Sequence, residues 1–182
     1  MSIWVIVLLL GVVAMVVGPV MLLQPSPQDR RQAELRAQAR RFGLVVSLET
    51  LPDQATDTGA PERLPVYRLS AQPAEARGQM QPWQLLRAAY WHETHFLGDW
   101  RWQGKGRPKA GVLAIFERYL PELPKAVSAL GSDSRGWYLV WTEKGGIAVL
   151  ERLAELLQAI KQASLVRVST QGALPARESG SG

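Results

Sequence analysis

Both histidines of the chain stand together in His92-Glu93-Thr94-His95, with Asp99 close behind. On a helix, His92 and His95 would share a face and could hold a metal alongside a third ligand. On a strand the two side chains would point to opposite faces. Their spacing is not that of the His-Glu-x-x-His metalloprotease helix, and no third ligand is fixed by sequence. The chain has no cysteine, which excludes thiol nucleophiles, thiolate zinc sites and disulfides. No Gly-x-Ser-x-Gly elbow and no paired-carboxylate signature is present. Neither an enzyme nor a cofactor is expected.

Two further stretches could recognise a ligand. Gly104-Lys105-Gly106-Arg107-Pro108-Lys109 is glycine-rich and basic. Its backbone N–H groups and its cations Lys105, Arg107 and Lys109 could cradle a phosphate. It lacks the Walker A spacing and does not follow an apolar strand, so it reads first as a surface loop. Beside it, Trp100-Arg101-Trp102 pairs aromatics with a cation, a combination suited to a protein partner or to stacked bases. On a strand both tryptophans would share one face. All tryptophans except Trp4 lie between Trp83 and Trp141. Trp83, Trp137 and Trp141 read as core.

The elements that must position these residues follow from pattern. Ser26, Pro27 and Asp29 start a helix that runs to about Phe42, and Gly43 stops it. Leu44–Thr50 and Leu64–Ser70 read as strands, with a loop from Pro52 to Arg63. Trp83–Glu93 is ambiguous and inclines to strand. Gly111–Tyr119 has helical spacing. Lys125–Leu130 reads as a further helical turn or two, and Gly131–Gly136 as a turn. Trp137–Thr142 is a strand, and Ile147–Gln162 is an amphipathic helix. Leu165–Val168 reads as a last short strand. The order predicts an α+β fold: a small, mainly antiparallel sheet covered by helices, with residues 44–170 as the domain and 171–182 as a disordered tail.

Ahead of this domain, residues 3–23 carry no charge. That length, without a basic start or a small-residue cleavage site, predicts a retained transmembrane helix within residues 1–24. Arg30, Arg31, Arg36, Arg40 and Arg41 follow it, and no Lys or Arg precedes it. The positive-inside rule then places the N-terminus outside and the domain in the cytoplasm of a bacterial inner membrane. Gly11, Ala14 and Gly18 would offer a small-residue face for helix packing and homo-oligomerisation. Arg30, Arg31, Arg40 and Arg41, on a basic helix of residues 25–43, could meet anionic lipid, as could Lys105, Arg107 and Lys109. The net charge of +5 suits such a surface. It is spread along the chain, so nucleic acid is not the expected partner.

This layout of an N-out span, a proline-containing exit, a basic Gln/Arg-rich helix and then strands resembles, over about residues 3–50, that of the YajC family of bacterial translocon accessory proteins. The chain as a whole resembles single-span inner-membrane proteins of Gram-negative bacteria. The resemblance implies a protein that accompanies a larger inner-membrane complex, and it carries no site residues. The function expected from the whole sequence is a membrane-tethered accessory or scaffold whose domain binds a protein partner through Trp100, Arg101 and Trp102. A binding module for phosphate-bearing ligands is the alternative.

Overall fold

The computed structural model describes residues 2–22, 26–50, 63–72, 80–87 and 96–166. The elements run α1 (Ile3–Leu22), α2 (Pro27–Arg41), β1 (Leu44–Thr50), β2 (Arg63–Ser70), β3 (Trp83–Arg87), β4 (Trp100–Gln103), α3 (Ala110–Tyr119), β5 (Val127–Asp133), β6 (Gly136–Trp141) and α4 (Gly146–Leu165). A single turn of 3-10 helix, Leu120–Glu122, follows α3. The fold is α+β. Its six strands form one antiparallel sheet in the order β1-β2-β6-β5-β3-β4.

Strand periodicity sorts the side chains into two faces. Pairing aligns Val46, Tyr67, Leu139, Leu130, Leu85 and Trp102 in one row across the whole sheet. These belong to the large core shared with Leu35 and Ala39 of α2, Val112 and Phe116 of α3, and Leu150, Leu153, Leu156, Leu157 and Ile160 of α4. The next row, Ser47, Val66, Val140, Ala129, Leu86 and Arg101, lies on the opposite face. There Val66, Leu86, Ala129 and Val140 form a small second cluster.

Local chemistry explains the helix boundaries. The Ser26 hydroxyl accepts from the Asp29 backbone N–H at 3.1 Å, and the Asp29 carboxylate accepts from the Ser26 N–H at 3.0 Å. This reciprocal box satisfies two of the donors that the first turn of a helix leaves free. Gly43, at φ +74°, turns the chain from α2 back along β1.

Several sequence expectations are corrected. Residues 127–133 are strand, not helix and turn, because Val127 and Leu130 face the core while Ala129 faces the second cluster, across a bulge between Val127 and Ala129. Gly131 sits inside that strand with the Tyr138 ring over it, where an added Cβ would come within 2.4 Å of the ring. Helix α4 continues to Leu165, the first residue of the expected last strand, and residues 167 and 168 of that strand lie outside the described residues. The loop expected from Pro52, apart from its last residue Arg63, and the tail from residue 171 lie outside the described residues.

The membrane anchor is also corrected. Among the described residues no helix is long and apolar enough to cross a membrane. The described helices therefore supply no span for a single-pass inner-membrane protein, for the transmembrane part of the expected fold or for an N-out topology. The α1 side chains are exposed, Leu8 at 70 % and Met15 at 81 %. Among the described residues, Gly11 meets nothing within 4 Å.

The β5–β6 turn gives a direct test of the packing. Gly136 has φ +141°, and a Cβ there would lie 2.2 Å from the Leu69 carbonyl oxygen. Gly136→Ala therefore combines a strained backbone with a clash against the neighbouring strand. Urea unfolding should show a loss of about 2–4 kcal/mol.

Candidate functional site

A buried polar junction joins α2 to the sheet. Glu143 follows β6 in a left-handed conformation, φ 60°, which costs a non-glycine residue energy. Its side chain is only 2 % exposed. Arg36 of α2 meets it with two hydrogen bonds, Nε to Oε1 at 2.7 Å and the terminal nitrogen Nη2 to Oε2 at 3.0 Å. The Tyr67 hydroxyl of β2 donates to Oε1 at 2.9 Å. Burial, and then the adjacent carboxylate, pushes the Tyr67 phenol well above its ordinary pKa. The Tyr67 ring lies 5.4 Å from Trp141, whose Nε1 donates to the Lys144 carbonyl. The bent turn that carries Glu143 is thus held from both sides. No sequence motif marks this triad, since its members are separated by 76 and 107 positions.

Grooves flank α2 on two sides. One, of about 420 Å³, is lined by Phe42 and by Glu151, Ala154, Glu155, Gln158, Ala159 and Gln162 of α4. Phe42 is 36 % exposed at its edge. The other, of about 360 Å³, runs along α2 itself, over Asp29, Gln32, Ala33, Arg36, Ala37 and Arg40. The helix expected to lie on lipid headgroups is therefore a packed element, with Leu35 and Ala39 in the core. Arg30, Arg31, Arg40 and Arg41 are exposed along it.

The expected partner patch is divided by the sheet. Trp100 is 1 % exposed, with its ring 4.7 Å beneath the Arg87 guanidinium. Its Nε1 is buried without a hydrogen-bond partner. Trp102 is half-buried among Phe96, Trp83 and Phe116, at centroid distances of 4.9, 6.2 and 6.2 Å. Arg101 lies on the opposite face. Trp100, Arg101 and Trp102 thus form no common contact surface, because the strand alternation that puts both tryptophans on one side puts them on the helix side.

The basic loop is tied down from within. Arg107 lies 4.9 Å over the Trp102 ring and donates to the carbonyls of Gly104 and Gly106 at 2.9 and 2.7 Å. Lys109 donates to the Ser164 carbonyl at the end of α4. Gly106 packs so closely that a Cβ would come 2.0 Å from the Pro82 carbonyl. Two of the loop's three cations are therefore engaged with the protein itself, and only Lys105 projects freely among the described residues.

His92, Glu93 and His95 lie outside the described residues. Among the described residues no group of three or more His, Asp or Glu could hold a metal. The buried charges serve the fold. Arg68 bridges Asp133 at 2.7 Å and Glu49 at 3.6 Å. Arg87 donates to the Pro124 and Leu123 carbonyls and pairs with Asp99. Burial lowers its pKa, and Asp99 opposes that shift. Compared with known proteins, the chain matches no protein-family model, no curated protein and no solved structure.

Two measurements check the junction. Arg36→Met leaves Glu143 buried without its counter-charge and should cost about 3 kcal/mol in urea unfolding. The second is alkaline sensitivity. Tyr67 and Tyr138 both have folded pKa values above the ordinary tyrosine value of about 10, Tyr138 being pushed up to about 12, chiefly by burial. A raised folded value means a contribution that is complete below pH ~10 and is lost as the pH climbs beyond it. The Tm should hold from pH 7 to 9 and fall above 10, less steeply in Tyr67→Phe.

Proposed function

We propose that this chain is an accessory or scaffold protein whose α+β domain binds a protein partner in the groove between Phe42 and α4. The observation that carries this reading is Phe42 itself. It is a large aromatic at a helix end, left partly in water beside a concave floor of Ala154 and Ala159. Aromatic anchors next to small-residue pockets are the usual energetic centre of protein interfaces. Glu151 and Glu155 stand one helical turn apart on the groove wall, with Gln158 and Gln162 continuing the row. This edge suits an amphipathic helix whose apolar side chain enters the groove and whose Lys or Arg residues meet the two carboxylates.

Binding is favoured over catalysis by the disposition of the buried charged groups. Arg36, Arg68, Arg87 and Glu143 are each committed to partners within the fold. The phosphate-binding alternative has less behind it, since Arg107 and Lys109 already satisfy carbonyl groups of the chain.

A photoreactive side chain placed at Gln158 of the full chain should crosslink to one neighbour in cells. Phe42→Ala and the pair Glu151→Lys/Glu155→Lys should each reduce that crosslink at least tenfold while leaving the thermal melt within a few degrees. Glu117→Lys, on exposed α3, should leave it intact. Unchanged crosslinking in both groove variants would remove this reading.

A further inference from the structure

We propose that a second copy of this chain adds to the open edge of β1, forming a two-fold dimer in which two sheets join and two α2 helices pack side by side. The inference stands apart from the groove beside Phe42, whose lining residues take no part in it.

The sheet's two edges differ. Strand β4 is four residues long, and Leu97 folds back to bridge Trp100. Strand β1 is seven residues long and pairs with β2 without a break, so it is straight. Its sequence, Leu-Val-Val-Ser-Leu-Glu-Thr, contains neither lysine nor proline and has no bulge, which are the usual protections of an edge. Among the described residues nothing pairs with its outer side. It exposes apolar side chains on both faces, Val45 at 55 % and Leu48 at 52 %.

The strand is self-complementary. An antiparallel copy related by a two-fold axis at Val46 sets Val46 against its own equivalent. Leu44 then faces Leu48, and Val45 faces Ser47. One face of the new ladder is entirely aliphatic, and Glu49 falls outside the overlap, so no like charges are opposed.

Helix α2 carries the same symmetry. Its own groove shares no lining residue with the one beside Phe42. Ala33 and Ala37 give that groove a low centre, with Asp29 at one end and Arg40 at the other. In an antiparallel pair of α2 helices, Ala33 meets Ala37 and each Asp29 meets an Arg40. Arg40 has no hydrogen bond or ion pair among the described residues, and Asp29 uses one carboxylate oxygen, Oδ2, in the capping box. The two pairs sit at similar distances from the turn between α2 and β1. Val46 lies four residues beyond Phe42, roughly 13 Å along a strand. The midpoint between Asp29 and Arg40 lies between seven and eight residues before Phe42, about 11 Å along a helix. Because α2 folds back over β1 at Gly43, these similar lengths let one axis serve both pairs.

The absence of cysteine makes the test clean. Val46→Cys, in the full chain kept dispersed in a mild non-ionic detergent, should form an intermolecular disulfide under gentle oxidation. Ser134→Cys, on the exposed β5–β6 turn, should not. Arg40→Asp should lower the Val46→Cys crosslink at least fivefold, and adding Asp29→Arg should restore it, because the swapped pair is again complementary across the axis. Circular dichroism of the charge variants establishes that α2 is intact. Equal crosslinking at residues 46 and 134, crosslinking of Ser47→Cys in preference to Val46→Cys, or no rescue by the double charge swap with α2 intact would each overturn the proposal.

Discussion

The bidentate contact between Arg36 and Glu143 is the constraint on which the arrangement around α2 depends. A carboxylate this deeply buried is stable only with a counter-charge and filled hydrogen bonds. Arg36 and Tyr67 provide both. The geometry is possible only because Glu143 accepts a left-handed backbone. One ion pair therefore fixes the position of α2, the exit of β6 and the start of α4. Arg36 also lines the groove along α2.

The sheet divides its labour by side. Tryptophans fill the helix-covered face, where Trp83, Trp102 and Phe116 meet edge-on or tilted and Trp137 donates from Nε1 to Ser164 at 3.0 Å. The other face is a thin apolar patch bordered by Arg68, Glu49, Asp133 and Arg135, whose charges pair with one another. Cations stacked on rings recur at Arg68, Arg87 and Arg107. Trp100, Trp102, Arg107 and Lys109, which look like ligand-binding chemistry in the sequence, are thus engaged within the fold. The two proposed recognition surfaces lie around α2 and β1. Helix α1 adds an apolar surface that water does not favour.

Much of the local structure was legible. The Ser26–Asp29 box, the glycine stop at Gly43 and the spacing of Leu150, Leu153 and Leu157 depend on neighbours within one or two helical turns, so sequence reports them directly. The strand at Val127 was not legible. Residues 127–130 read as helical and Gly131 as the start of a turn, until Tyr138, from the next strand, covers Gly131. The limits of α4 were blurred because Leu165 is held by packing on the core rather than by a local stop signal.

Sequence by itself determined the strands at Leu44–Thr50, Leu64–Ser70 and Trp137–Trp141, the caps of α2, the absence of thiol chemistry and the uncharged character of residues 3–23, since each is a property of residue type and near spacing. Tertiary structure alone decided that Trp100 is core, that Arg107 and Lys109 are tied to carbonyls, and that Arg36, Tyr67 and Glu143 meet. Burial and pairing arise between residues far apart in the chain, where no spacing rule reaches. The same periodicity that made Trp100-Arg101-Trp102 resemble a contact surface turned its two rings inward, because which face of a strand is covered depends on helices that lie elsewhere in the sequence.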